Sequence, residues 1–342
     1  MTGGIGKTHI LISALVLAVS VATCAALDIA ANSPRVAHWF DQRGSIKARA
    51  LNRAFVNQGV FGDAFNGLLL VDAPETDFSA GGVYFFGSSN LLFVAQFNDL
   101  PPEQRKVIHN FGFPEANPTQ IFQLIRYVDQ AHGLLSRAPE RTHIVLGLSE
   151  NDLLSDTKGM SFLGSGLHDT GVFTYDPVQG IAPAPMSSWK RALTIRKLRW
   201  YDLVQQFKRL GERRPPAQTD VPGFRLELKR FIGTAAPDAT TRETAELGRL
   251  FDYLKARNVS VSVVRLPKGS WAEGSVLDEA FTRDIPPLCA SRGVPILDLS
   301  HFLRDDEFMD ARHPTFRGAQ RERDELVKFA LTQLQSSPDH AR

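Results

Sequence analysis

The chain has 342 residues, enough for one large domain or two small ones. With 43% hydrophobic and 22% charged residues it is not globally disordered, and a net charge of +2 makes no electrostatic case for a nucleic-acid partner. Its two cysteines, Cys24 and Cys289, imply no disulfide framework and leave the redox compartment open.

The first motif is "GGIGKT" at residues 3–8. It looks like the end of a phosphate-binding loop. That loop needs a further glycine where Met1 stands, and a preceding strand, so the nucleotide reading is set aside. An uncharged run follows at residues 10–27, "ILISALVLAVSVATCAAL". Eighteen such residues are about the minimum for crossing a bilayer core. A cleaved signal peptide would have a shorter apolar region, although "VATCAA" supplies a small-residue exit. A retained signal anchor fits the longer run better. Lipidation at Cys24 is disfavoured by the bulk of Thr23. Lys7 precedes the run while Arg35, Arg43 and Lys47 follow it, so charge does not set its orientation.

Residues 1–30 therefore read as an anchor or signal segment, 31–80 as a juxtamembrane connector and 81–336 as the main domain. In the connector, "SIKARALNRAFVNQGVF" has helical spacing and basic residues. It is expected to be an amphipathic helix, either near the membrane surface or packed on the domain.

From residue 81 strands alternate with helices. "VYFF" and "KVIHNF" read as strands, and "PTQIFQLIRYVDQAHGLL" reads as a helix with Ile121, Leu124, Ile125 and Val128 on one face. "HIVLGL" is a third strand, "TRETAELGRLFDYLKAR" a helix and "VSVSVVRL" a fourth strand. "VLDEAFTRDIPPLCASRG" reads as a broken helix, "VPILDL" as a fifth strand and "RGAQRERDELVKFALTQLQ" as the closing helix. The expected fold is α/β, a three-layer αβα sandwich around a central parallel sheet. Ligands in such sheets bind at the carboxyl ends of the strands.

An insertion at about residues 155–240 interrupts the alternation. It begins rich in Gly, Pro and aromatics, and its "GLHDTGVFTYD" is either a substrate loop or an ordinary surface loop. Residues 189–214 then hold nine basic side chains against Asp202 and Glu212, a local net of +7. This section reads as a basic wall beside the site, a lipid-headgroup contact or a solvated helix face.

A serine nucleophile needs a base, a carboxylate to orient that base, and donors for the oxyanion. "FFGSSN" offers Ser88 and Ser89 at a strand end. Asp-x-x-His occurs three times: Asp129 with His132, Asp298 with His301, and Asp310 with His313. The first pair falls within a helix. Asp298 ends a strand and His301 follows in the next loop. Asp310 and His313 lie in a turn-rich loop before the last helix, from which both can reach the carboxyl edge. His109, His143 and His168 are scattered and suggest no metal site.

Four blocks in order resemble the SGNH, or GDSL, family of serine hydrolases. "FFGSSN" resembles the first block and implies Ser89 as nucleophile. "NFGFPEANPTQ" resembles the second and implies Gly112 as an oxyanion donor through its N–H, beside that of Ser89. "VLGLSENDL" resembles the third and implies the Asn151 side chain as a further donor. "DARHPTFRG" resembles the last and implies Asp310 and His313 as the rest of the triad.

Two departures stand out. Ser88 occupies a place where the family usually has aspartate, as in membrane-anchored relatives with Gly-Ser-Ser. Gly147 lies four residues before Asn151, further than usual, which makes Ser149 an alternative donor. The resemblance is closest in character to the anchored proteins of D-alanylation and polysaccharide O-acetylation systems. It implies no cofactor or metal. It implies a single-pass protein of the bacterial cytoplasmic membrane with an extracytoplasmic domain. The substrate would be an acylated glycan or cell-envelope polymer, with a membrane-bound O-acyltransferase as a further partner. Two other readings are a non-catalytic scaffold of such a complex, and a polysaccharide-binding module using Trp189 and Trp200.

Overall fold

The computed structural model describes residues 4–33, 36, 77–94, 100–113, 116–154, 171–176, 178–211, 219–233 and 238–336. The amphipathic helix expected at residues 45–61, His168 and the first part of the insertion lie outside these residues.

Helix α1 (Gly4–Ala31) comes first, and within His9–Ala31 an 18-residue window has a mean hydropathy of 2.6 with none of that window buried against the rest of the chain. It is long and apolar enough to cross a membrane. The domain begins with β1 (Gly82–Gly87), which runs through Ser88 into the short helix α2 (Ser89–Val94). Then come α3 (Pro102–Arg105), β2 (Ile108–Asn110), α4 (Pro118–His132) and β3 (Thr142–Leu148). The insertion contributes a hairpin, β4 (Phe173–Asp176) with β5 (Gly180–Pro183), and helices α5 (Ser188–Gly211) and α6 (Val221–Ile232). The chain closes with α7 (Ala239–Lys255), β6 (Ser260–Arg265), α8 (Val276–Arg292), β7 (Ile296–Asp298) and α9 (Phe316–Ser336).

The five strands β2-β1-β3-β6-β7 form one parallel sheet. Its side chains alternate faces as the strand period requires. Tyr84, Phe86, Ile144, Leu146 and Val263 enter a core shared with α4, α7 and α8. Val83, Phe85, Val145 and Val264 enter a second core with α2 and α9. Each fully buried Phe or Val contributes about 1.5–3 kcal/mol relative to exposure. Burial on both faces explains why these strands read as continuous apolar runs.

Helix α4 starts where the sequence indicates. Asn117 accepts from Gln120 N–H, Gln120 returns a bond to Asn117 N–H, and Pro118 occupies the first turn. Helix α8 corrects an expectation, because it runs unbroken through Pro286 and Pro287. The carbonyls those prolines leave unpaired belong to Thr282 and Arg283, which are exposed and can be hydrated. Phe281, Ile285 and Cys289 hold the other side of the helix in the core.

The strand order places a topological switch between β1 and β3, where connections leave the sheet in opposite directions. Gly87 and Gly147 pair across this point. A Cβ on Gly87 would sit 2.4 Å from Gly147 O, and a Cβ on Gly147 would sit 2.7 Å from Leu91 Cδ1. The two glycines let α2 pack directly onto the ends of both strands.

Candidate active site

The carboxyl edge at this switch collects the chemistry. Ser89 is the first residue of α2, so its N–H is among the amides a helix cannot pair internally. Its Oγ lies 2.9 Å from His313 Nε2. His313 Nδ1 lies 2.9 Å from Asp310 Oδ2 and 3.1 Å from Oδ1. The carboxylate can only accept, so Nδ1 carries the proton of the neutral ring. Nε2 is then the acceptor for the Ser89 hydroxyl. Three residues separated by more than 200 positions thus form one relay.

The loop that carries His313 is built tightly. Phe308 bridges Pro314, Met309 N–H donates to His313 O, and Asp310 Oδ1 accepts the Arg312 and His313 amides at 2.8 Å each. Trp271 Nε1 donates to Ala311 O at 2.9 Å while its ring packs edge-on to Phe308 and Phe224. Gly318 lets α9 begin against this loop, because a Cβ there would meet Glu307 O at 2.7 Å. Burial alone would raise the Asp310 pKa. The His313 ring, by hydrogen bond and charge, and the two amides outweigh it and hold the carboxyl below its usual value.

No protein-family model matches the chain, and comparison with curated proteins finds no match. Function therefore has to be argued from this geometry.

The two serines of "GSSN" have separate surroundings. Ser88 is buried and its hydroxyl bonds the Asp152 carboxylate. Asp152 also accepts Ser149 N–H at 2.7 Å and the Ser149 hydroxyl, and Ser149 Oγ accepts Asn90 Nδ2 at 2.9 Å. Burial raises the Asp152 pKa to about 7, against the pull of these hydrogen bonds and helped by the Glu150 charge. Only Ser89 reaches the histidine. Ser149, the alternative donor, has its N–H and hydroxyl engaged by Asp152 and accepts from Asn90.

The other expected donors are placed as follows. Asn151 lies in a short turn after β3 and is half-buried, with its Oδ1 buried and without a hydrogen-bond partner among the described residues. It lines a cleft with Asn90, Leu228, Ala311 and Arg312. The Gly112 N–H donates to Asn110 Oδ1 at 2.7 Å, in an Asx turn that also ties Asn110 Nδ2 to Leu92 O. For Gly112 to face an oxyanion, Asn110 has to release it.

The remaining Asp-x-x-His pairs do other work. Asp129 accepts Leu135 N–H beyond the end of α4, and His132 packs edge-on to Tyr127. Asp298 accepts Ser300 N–H and lies 3.6 Å from Arg265, while exposed His301 faces Glu273. His109 stacks on Tyr84, and His143 Nε2 lies 2.8 Å from Ser262 Oγ.

Sequence reasoning missed Asp152, Asn110, Trp271 and the α6 side of the cleft. Two of these had a signal. "SEND" is a Ser-x-x-Asp capping pattern, and "NFG" is an Asx-turn pattern. Trp271 and Leu228 had none, because they act through contacts with a loop far away in sequence.

Proposed function

We propose that the chain is a membrane-anchored serine esterase or O-acyltransferase of the SGNH type, acting on acyl esters of an extracytoplasmic glycan or envelope polymer. The observation that carries this is the Ser89–His313–Asp310 relay at the switch point of the sheet. The order of the four sequence blocks supports the family assignment. The apolar helix α1 supports the anchor.

In this reading Ser89 Oγ attacks the acyl carbonyl as its proton passes to His313 Nε2. Asp310 keeps the ring in the correct tautomer and stabilises the imidazolium. The oxyanion is met by Ser89 N–H and the Asn151 side chain, and by Gly112 N–H once Asn110 swings away. The tetrahedral intermediate collapses, and the leaving alcohol takes the proton from Nε2. Water or a sugar hydroxyl then attacks the acyl-enzyme, giving its proton to Nε2, which returns it to Ser89 Oγ as the acyl–oxygen bond breaks. Partners in this scheme are the acylated polymer and a membrane-bound O-acyltransferase that supplies or receives acyl groups.

The test is turnover of p-nitrophenyl acetate by the full chain in detergent, with and without an oligosaccharide acceptor. The expected result is a burst of p-nitrophenol that vanishes in Ser89→Ala. An acetylated oligosaccharide identifies transfer, and acetate alone identifies hydrolysis. Folded wild-type protein with no burst and no turnover on acetylated polymer favours the scaffold reading.

A further inference from the structure

The basic helix of the insertion is fixed to the end of α1. Asp28, the first charged residue after the uncharged run at 10–27, pairs with Arg196, whose Nε donates to Oδ1 at 2.6 Å. Trp200 Nε1 donates to the same carboxylate at 3.0 Å, and Arg199 reaches Asn32 Oδ1 at 3.3 Å. Three side chains of α5 thus grip the last turn of α1.

Helix α5 has two distinct faces. Ile195 and Leu198 pack on the core shared by α4 and α7, which fixes the rotation of the helix. At helical spacing on the opposite side stand Trp189, Leu193, Arg196 and Trp200, flanked by Lys190 and Lys197. Trp189 is 68% exposed and Leu193 57%. An exposed tryptophan and leucine among lysines do not suit a purely solvated face. They suit a membrane interface, where indole rings settle at headgroup depth and lysines meet lipid phosphates. The α1 clamp lies on this same face. Asp28 marks the point where a helix of about 27 Å of uncharged length would leave the hydrocarbon.

We propose that the outer face of α5 is a membrane-docking surface, seated on the anionic headgroups of the bilayer that holds α1. Trp189 and Leu193 enter the interface, and Lys190 and Lys197 contact phosphates. Exposed Lys190 and Lys197 supply the attraction to anionic headgroups. The proposal rests on α1 being retained in the membrane, and it is independent of the reaction at Ser89. In it the domain has two fixed attachments to the bilayer, which hold the carboxyl edge of the sheet at one orientation to the surface.

The test uses the full chain with Cys24→Ser, reconstituted in vesicles of phosphatidylcholine alone or mixed with phosphatidylglycerol. A polarity-sensitive fluorophore is placed at Leu193→Cys, at Leu15→Cys within α1, or at Lys328→Cys on α9 across the sheet. Nitroxide lipids labelled near the headgroup, or deep in the acyl chain, act as quenchers. In anionic vesicles the position-193 label should be quenched by the headgroup nitroxide at least about twofold more than the position-328 label. Adding Lys190→Glu and Lys197→Glu should abolish the difference. Equal quenching at 193 and 328, with position 15 still quenched by the deep nitroxide, overturns the docking surface and leaves the anchor standing. Loss of quenching at position 15 as well overturns the anchor and the proposal together. A response at 193 that appears only with native membrane proteins identifies a protein partner and overturns the lipid assignment.

Discussion

Asp298–His301 and Asp310–His313 share a spacing; the first begins on the last residue of β7 and the second lies in the loop between β7 and α9. In the first, His301 is exposed and Asp298 spends its hydrogen bond on Ser300 N–H. In the second, His313 is buried, its ring is held by Asp310, and Trp271 and the Phe308–Pro314 bridge fix the loop around it. Spacing brings an aspartate within reach of a histidine. Enclosure and a rigid turn hold that contact and aim the other ring nitrogen at the Ser89 hydroxyl. The dyad is a property of the loop more than of the motif.

The contrast is broken most directly by removing each histidine. His313→Ala should lower esterase kcat by about 10⁴-fold or more, because the serine loses its base. His301→Ala should stay within about twofold of wild type, since its ring touches nothing in the relay. Equal losses in the two variants would contradict the assignment. Asp310→Asn should cost about 10³–10⁴-fold in kcat with little change in KM, because the ring can adopt the wrong tautomer. Asp298→Asn should leave kcat essentially unchanged.

A milder probe separates the loop from the motif. Trp271→Phe keeps the aromatic packing and deletes the donor to Ala311 O. Urea unfolding should show a loss of about 1 kcal/mol, and kcat should fall several-fold with KM nearly constant. Unchanged kcat would mean that the loop does not need this anchor.

The fold was largely legible because its signals are local. Five apolar runs, a capped helix at Pro118 and three further helical stretches each declare themselves within about 20 residues, and their alternation determines a parallel sheet. Pro286 and Pro287 misled because the exposure of two carbonyls is decided by packing. At the site, Ser89 stood apart from Ser88 only through the resemblance of "FFGSSN" to a serine-hydrolase block. The physical reason for the difference, Asp152 beneath Ser88, comes from another strand end. The engagement of Gly112 by Asn110 is carried by the Asx-turn pattern "NFG", a local signal separate from the block resemblance.

Asp152 supplies the last expected effect, on the pH dependence of stability rather than on activity. Burial pushes its carboxyl up to about 7, above the ordinary aspartate value of 3.8. Between those values the folded state binds the extra proton, so stability falls as pH rises from about 4 to about 7. Asp310 has the opposite sign. Its pKa is lowered on folding, so its contribution is present above the ordinary aspartate range and is lost as pH falls below it. Urea midpoints across pH 4–7.5 should show the decline in wild type and a flatter profile in Asp152→Asn. Parallel profiles in the two proteins would assign the pH dependence elsewhere.

The central claim is that Ser89, and not its neighbour, is a nucleophile activated by His313. Treatment of the full chain with a fluorophosphonate, followed by peptide mass analysis, tests it most directly. The expected result is one adduct, on Ser89, retained in Ser88→Ala and lost in Ser89→Ala and His313→Ala. An adduct on Ser88, or an unmodified Ser89 in folded wild-type protein, would contradict the account.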